Sequence, residues 1–144
     1  MSVLFAAPTG TDADWVVKLI DVVPEDAQDN PTTRKGMRMG GYQQMIRSEI
    51  IRGRFRNSFE KPEAFTPGKI EEINLELQDV LHCFQKGHRI MVQIQSTWFP
   101  LADLNPQKYV DNIYKAKSQD FIIATHRVFH DANNESYLEV GILE

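Results

Sequence analysis

The sequence has little cysteine, no long apolar run and no excess of positive charge. Its only cysteine, Cys83, excludes an internal disulfide bond. No apolar run approaches the roughly 20 residues that a membrane-spanning helix needs. The formal net charge is -4 at pH 7, whereas non-specific nucleic-acid binding requires a basic surface. The sequence therefore predicts neither a membrane segment nor a nucleic-acid partner, and it does not indicate a cellular compartment.

Recognisable catalytic motifs are also absent from the sequence. A serine nucleophile elbow needs a Gly-x-Ser-x-Gly-like turn, and no serine of this chain lies in one. Cys83 follows His82, but neighbouring residues of a strand face opposite ways and do not form a nucleophile–base pair. In a strand, His126 and His130 would be roughly 13 Å apart, too far to share one metal ion. We therefore assign no catalytic residue, no metal ligand and no cofactor-binding residue.

Two groups of charged residues remain to be interpreted. The acidic group lies in the first part of the chain and consists of Asp12, Asp14, Asp21, Glu25, Asp26 and Asp29. These residues lack the Asp-x-Asp-x-Asp-Gly spacing of a calcium loop, so we expect an Asx turn at Asp12 and solvated carboxylates at the others. The basic group consists of Arg47, Arg52, Arg54 and Arg56. If residues 50–56 form a strand, the last three share one face, which we expect to be solvated or to pair with carboxylates.

Short β-patterns dominate the rest of the chain. Strands are predicted at residues 3–7, 15–23, 50–56, 69–77 and 87–100, with a final hairpin of 120–130 and 136–142. Residues 69–84 are also compatible with a helix, but the preceding Pro-Gly and Asn74 favour a strand. Residues 107–117 can supply a short helical turn. About seven short strands joined by Pro- and Gly-containing loops predict an all-β antiparallel sandwich, with residues 1–144 in one domain.

The stretch from Gly87 to Pro106, GHRIMVQIQSTWFPLADLNP, is the centre of this interpretation. Its alternation places Ile90, Val92 and Ile94 on one face, which we expect to be the core. The bulky residues at its exit predict a docking face for another domain. Trp15 and Trp98 are each compatible with sugar stacking as well as with core or domain packing. The candidate interface residues are Trp15, Trp98, Phe99, Pro100, Asp103 and Asn105.

Three segments of this chain together resemble a known protein family. They read TDADWVVKLIDVVPEDA, then MGGYQQMIRSEIIRGRFRNSFEKPEAFTPGKI, then FQKGHRIMVQIQSTWFPLADLNPQKY. In this order they resemble the C-terminal domain of the CocE/NonD hydrolases. That group includes X-Pro dipeptidyl-peptidases, cocaine esterase, α-amino acid ester hydrolases and glutaryl 7-aminocephalosporanic acid acylases.

The resemblance implies a jelly-roll sandwich, similar to galactose-binding domains, packed on an α/β-hydrolase domain and its cap. It also implies that the Ser-Asp-His triad lies in that hydrolase domain, so no triad residue is carried over to this chain. The family's domain begins about one strand earlier, which predicts a fragment with an uncovered sheet edge or a self-pairing contact and leaves homo-oligomers open.

Two functions follow from this interpretation. The first is a non-catalytic domain of a serine hydrolase that packs on the catalytic domain and helps to shape its substrate entrance. The second is an autonomous carbohydrate- or calcium-binding module, because the same sandwich hosts such modules and a fold does not determine a function.

Overall fold

The computed structural model describes residues 1–143 and shows an all-β protein. Three short 3-10 helices interrupt the strands at Gly53–Phe55, Ile113–Lys115 and Ser118–Asp120. The strands are β1 Ser2–Pro8, β2 Asp14–Val22, β3 Gln43–Arg52, β4 Glu71–Leu75, β5 Arg89–Gln95, β6 His126–Val128, β7 His130–Asp131, β8 Asn134–Glu135 and β9 Tyr137–Leu138. No helix among these described residues is long and apolar enough to cross a membrane.

The strands form two antiparallel sheets and one small ribbon. In the first sheet β1 is central, with β4 on one side and β6 and β9 on the other. In the second sheet β2 is central, between β3 and β5. Strands β7 and β8 pair only with each other. The predicted all-β antiparallel sandwich is confirmed.

The core lies between the two central strands. Both β1 and β2 are almost entirely buried on both faces, as expected for central strands that are covered on each side. The side chains that meet in the core come from β1, β2, β4 and the loops beside them: Leu4, Ala6, Ala13, Trp15, Val17, Phe65, Ile73 and Leu75. Odd-numbered residues of β2 therefore face the core, and even-numbered residues form its outer face.

Several predicted elements are confirmed by the strand bounds. The predictions for residues 3–7 and 15–23 match β1 and β2, and residues 71–75 form a strand rather than a helix. The helical turn expected within 107–117 is present at Ile113–Lys115. The final hairpin turns at Ala132 and Asn133, between β7 and β8, but its strands are shorter than predicted.

The strand predicted at residues 50–56 is wrong, because β3 ends at Arg52 and a 3-10 turn follows. Gly53 packs so tightly that a Cβ there would lie 2.5 Å from the Phe65 ring. Its N–H donates to the Ala13 carbonyl at 2.7 Å. The chain therefore turns at Gly53, and the arginines around it do not share one strand face.

The core assignment of β5 is also wrong for two of its three residues. Ile94 pairs with Val17 and packs against the core. Val92 and Ile90 lie on the same face, but they are 41% and 62% exposed. Alternation correctly identified their face, but the first sheet does not extend over this end of β5.

Candidate docking surface

The residues that follow β5 form a compact loop, residues 96–105, which we call the docking loop. The Ala102 N–H donates to the Trp98 carbonyl at 3.0 Å and closes a turn around the cis Phe99-Pro100 peptide. The Lys18 ammonium lies 4.4 Å from the centre of the Trp98 ring, within the range of a cation–π interaction. Because Lys18 is on the outer face of β2, the docking loop lies over the outer face of the second sheet.

Asp14 anchors the far end of the docking loop to β2. The Asn105 amide donates to Asp14 Oδ1 at 2.8 Å, and both residues are buried. Arg52 donates to Asp14 Oδ2 at 3.3 Å, and its other terminal nitrogen lies 4.0 Å from Asp103. Burial raises the pKa of Asp14 to about 6, although the Asn105 hydrogen bond and the nearby Arg52 act in the opposite direction. A carboxylate of β2 thus binds a loop and a neighbouring strand together.

A second buried ion pair lies beside this anchor. Arg54 Nε donates to Asp12 Oδ2 at 2.9 Å, and a second Arg54 nitrogen contacts the same oxygen. Arg54 also donates to the Val110 carbonyl at 2.9 Å, and its guanidinium stacks 4.5 Å from the centre of the Tyr109 ring. The prediction that the arginines pair with carboxylates is confirmed here, but the pair is buried rather than solvated. The acidic residues Asp14 and Asp21 are likewise buried, which corrects their predicted solvation.

The exposed side of the docking loop is apolar. Phe99, Leu101 and Leu104 are 62%, 71% and 48% exposed, respectively. We call these three residues the apolar patch. A patch of large apolar side chains on a loop that is fixed by buried polar contacts is typical of an interaction surface.

The six predicted interface residues divide between the surface and the interior. Trp98 is half-buried under Lys18, Pro100 is exposed at the turn, and Asp103 is exposed beside Arg52. Asn105 is buried as part of the anchor. Trp15 is 1% exposed and lies in the core against the His126 ring, so it offers no surface to a partner. The sixth residue, Phe99, belongs to the apolar patch and presents its ring to solvent.

The same geometry bears on the sugar-binding alternative. Stacking on a sugar requires an aromatic face that is open to solvent. Trp15 is enclosed in the core, and Lys18 occupies one face of the Trp98 ring. Trp15 therefore supplies no stacking platform, and Trp98 is covered on one face.

The far end of β2 carries a polar cluster that sequence reasoning missed. His82 Nε2 lies 2.9 Å from Asp21 Oδ2, and His88 Nδ1 lies 2.8 Å from Asp21 Oδ1. Both histidines come from the connection between β4 and β5. The signal in the sequence was the position of Asp21. Odd-numbered residues of β2 face the core, and a carboxylate at a core-facing position requires hydrogen-bond partners.

The remaining candidate groups are not arranged for catalysis or metal binding. Cys83 is exposed, while the adjacent His82 ring turns towards Asp21. His126 is half-buried against the Trp15 ring and hydrogen-bonds to Gln107, and partial burial lowers its pKa, whereas His130 lies exposed on β7. Within residues 1–143, no group of three or more His, Cys, Asp or Glu side chains is placed to hold a metal ion.

Comparison with protein families gives one match that covers nearly the whole chain. Residues 2–139 match the family described as the X-Pro dipeptidyl-peptidase C-terminal non-catalytic domain. The chain is 26% identical over 141 residues to cocaine esterase from Rhodococcus sp. (strain MB1 Bresler), which covers 98% of this chain and 22% of that protein.

Two solved structures have the same fold as this chain. An aminopeptidase from the marine sediment archaeon Thaumarchaeota archaeon matches with a TM-score of 0.86 and 46% identity. A selenomethionine-labelled α-amino acid ester hydrolase matches with a TM-score of 0.87 and 46% identity. Each match covers 94% of this chain and 21% of the longer protein. The chain thus spans about a fifth of the length of these relatives.

Proposed function

We propose that this chain, which belongs to the family of X-Pro dipeptidyl-peptidase C-terminal non-catalytic domains, docks on a catalytic α/β-hydrolase domain through its docking loop. The family corresponds to the C-terminal domain of the CocE/NonD hydrolases. The observation that carries this proposal is the apolar patch. Three large apolar side chains are exposed to solvent on a loop that is fixed by the buried hydrogen bond between Asp14 and Asn105. A loop that is already ordered loses little conformational entropy when it binds, and the patch supplies apolar area to bury.

We place the partner domain in the same parent chain. The relatives that match this chain are about five times its length, and the matched region is one part of each. Residues 1–144 would then form one sandwich domain of a longer protein. A likeness to galactose-binding domains remains a prediction of the resemblance. A second copy of the chain is a further partner that we propose.

The docked loop would also help to shape the entrance to the active site of the parent. The related proteins are named as an esterase, an aminopeptidase and an ester hydrolase. We therefore propose that the parent is a serine hydrolase that acts on ester, amide or X-Pro peptide bonds. The domain itself would supply surface and rigidity, while the nucleophile would come from the hydrolase domain.

The first experiment tests the non-catalytic role. The purified 144-residue chain is assayed with p-nitrophenyl acetate and with a Gly-Pro anilide, and we expect no turnover above the buffer background. Turnover that persists through a second purification and co-elutes with the protein would contradict the proposal.

The second experiment tests the docking loop within a parent hydrolase that carries this sequence. Phe99→Ser and Leu101→Ser should each lower the resistance of the domain junction to limited proteolysis and reduce kcat/KM, because they remove apolar area from the interface. Trp98→Ala should act in the same direction, with little effect on the isolated domain. Ile123→Ser is the matched control, since it also removes a fully exposed apolar side chain but lies outside the docking loop.

The two sets of variants distinguish docking from general surface effects. If the docking-loop variants behave like Ile123→Ser in both measurements, the docking loop is not the interface. If only proteolysis changes and kcat/KM does not, the docking role stands and the role at the substrate entrance is refuted.

A further inference from the structure

The loop at residues 56–64, which we call the Phe59 loop, is closed by a buried arginine. The Arg56 side chain is 3% exposed. Its guanidinium donates to the Glu63 carbonyl at 3.0 Å and to the Ala64 carbonyl at 3.3 Å. Because Arg56 is the first residue of the loop and these carbonyls belong to its last two residues, one side chain fixes the two ends together.

Further hydrogen bonds order the Phe59 loop between its ends. The Asn57 amide donates to Glu63 Oε2 at 2.8 Å. The backbone N–H groups of Glu60 and Lys61 donate to Ser58 Oγ at 3.2 and 3.3 Å, respectively. A loop that is ordered in this way loses little conformational entropy when it binds a partner.

This ordered loop presents one large aromatic side chain to solvent. Phe59 is 83% exposed. Its ring stacks with the ring of Phe55, with the two centroids 6.2 Å apart and an angle of 25° between the planes. A buried aromatic side chain removes about 150–250 Å² from water and contributes strongly to interfaces. An exposed aromatic residue on a fixed loop is therefore suited to fill an apolar pocket of a partner.

The Phe59 loop lies at the same end of the sandwich as the docking loop. Just before it, the Gly53 N–H donates to the Ala13 carbonyl at 2.7 Å, and just after it, the Phe65 N–H donates to the Thr11 carbonyl at 2.9 Å. These acceptors directly precede Asp14, which anchors the docking loop. A partner domain that covers the docking loop can therefore reach the Phe59 loop as well.

We propose that Phe59 is a second anchor for the catalytic domain of the parent hydrolase and fills an apolar pocket on that domain. This inference rests on the proposed docking function. The partner is a domain of the same chain, because the family's domain is non-catalytic and the matching relatives are about five times as long as this chain. Leu81 is 88% exposed but lies beside His82 at the other end of β2, so we expect no such contact there.

Site-specific photo-crosslinking in the full parent hydrolase tests the contact directly. Phe59→p-benzoylphenylalanine should crosslink, on irradiation, to peptides of the catalytic domain that mass spectrometry identifies, and the product should keep the mass of a single chain. Leu81→p-benzoylphenylalanine is the matched control and should give no such peptides. The absence of catalytic-domain peptides at position 59, an equal yield at position 81, or a product with the mass of two chains would each overturn the proposal.

Substitutions in the same parent measure how much the anchor contributes. Phe59→Ser should raise the rate of limited proteolysis at the domain junction about 10-fold, whereas Phe59→Leu keeps an apolar side chain and should raise it about 2-fold at most. Leu81→Ser should leave the rate unchanged. A rate that Phe59→Ser does not change, or that Leu81→Ser changes equally, would contradict the proposal.

The same assay separates this proposal from the docking loop. If Phe59→Ser acts while Phe99→Ser and Leu101→Ser do not, the anchor at Phe59 stands and the docking loop is not the interface. If only the docking-loop variants act, the docking function stands and the role of Phe59 is refuted.

Discussion

Strand β2 holds a buried carboxylate near each end, and the two are stabilised by different chemistry. Asp14 is held by the amide of Asn105 and by Arg52, whose charge is permanent. Asp21 is held by the imidazoles of His82 and His88. At the Asp14 end, a buried ion pair and an ordered loop surround the strand. At the Asp21 end, the side chains of the neighbouring β5 residues Ile90 and Val92 are exposed to solvent.

The difference indicates which end of β2 is stabilised fully by contacts within this chain. The Asp14 end combines side chains from β2, β3 and the docking loop into one buried network, so its geometry is determined within the chain. The Asp21 end fixes only the connection before β5 and leaves the outer edge of β5 unpaired. We therefore expect perturbations at the Asp14 end to cost more folding stability than perturbations at the Asp21 end.

The largest effect should follow from breaking the ion pair beside Asp14. Arg54→Met leaves Asp12 buried without its cation, which should lower the free energy of unfolding by about 3–5 kcal/mol. Urea unfolding measures this loss. Arg127→Met is the control, because Arg127 is exposed on β6, makes no ion pair among the described residues and should cost much less.

A second substitution separates pairing from burial at this site. Asp12→Leu combined with Arg54→Met removes both charges and should recover a large part of the lost stability. Equal losses in the single and double variants would mean that the packing of Arg54, rather than its charge, stabilises this end.

The next effect concerns the pH dependence at Asp14. Its pKa is about 6 in the folded chain, against an ordinary value of 3.8, so the stability it contributes is present below pH 3.8 and is lost as pH rises through 6. This loss amounts to about 3 kcal/mol. Asp14→Asn should lack it, so the variant should gain on the wild type between pH 4 and pH 7. Unfolding midpoints across this range test the prediction.

Asp103→Asn is the matched control for that measurement. Asp103 lies in the same docking loop and near the same Arg52, but its side chain is 58% exposed. Its pH profile should follow the wild type. A profile of Asp14→Asn that also follows the wild type would show that burial of Asp14 is not the source of the pH dependence.

A smaller effect is expected at the opposite end of β2. His82→Leu together with His88→Leu removes both hydrogen bonds to Asp21 and should lower the free energy of unfolding by about 2 kcal/mol. His130→Leu, on the exposed β7, should change it little. A loss greater than that of Arg54→Met would reverse the ranking of the two ends.

The smallest effect should come from the contact between Lys18 and Trp98. Lys18→Gln removes the cation above the ring and should cost about 0.5–1 kcal/mol. Thermal unfolding measures it, with Lys86→Gln as a control at an exposed lysine for which the described residues show no ion pair. A larger cost would place the main anchor of the docking loop at Trp98 instead of Asp14.

The sequence predicted the central strands well because their apolar residues are unambiguous. Both β1 and β2 are buried on two faces, so predicting their burial does not depend on knowing which face is turned towards the core. The sandwich class and the position of the docking loop followed from the same runs and from the resemblance. In contrast, β5 alternates correctly, but alternation does not reveal whether another sheet covers the face, so Ile90 and Val92 were misplaced.

Other features depend on contacts between residues that are distant in the chain. The buried state of Asp12 requires Arg54, 42 positions away, and that of Asp21 requires histidines more than 60 positions away. The end of β3 depends on the fit of Gly53 against Phe65. No local pattern contains these pairings, so the buried polar network had to be read from the structure.

The pairing of β1 also has a consequence for the order of synthesis. β1 is made before its partners, which lie at Glu71–Leu75, His126–Val128 and Tyr137–Leu138. At 5–20 residues per second, a ribosome needs roughly 7 to 25 s to add the residues between β1 and its last partner. During that time β1 lacks some of its partner strands, so its apolar side chains are exposed. They can then be bound by a chaperone that acts on the nascent chain.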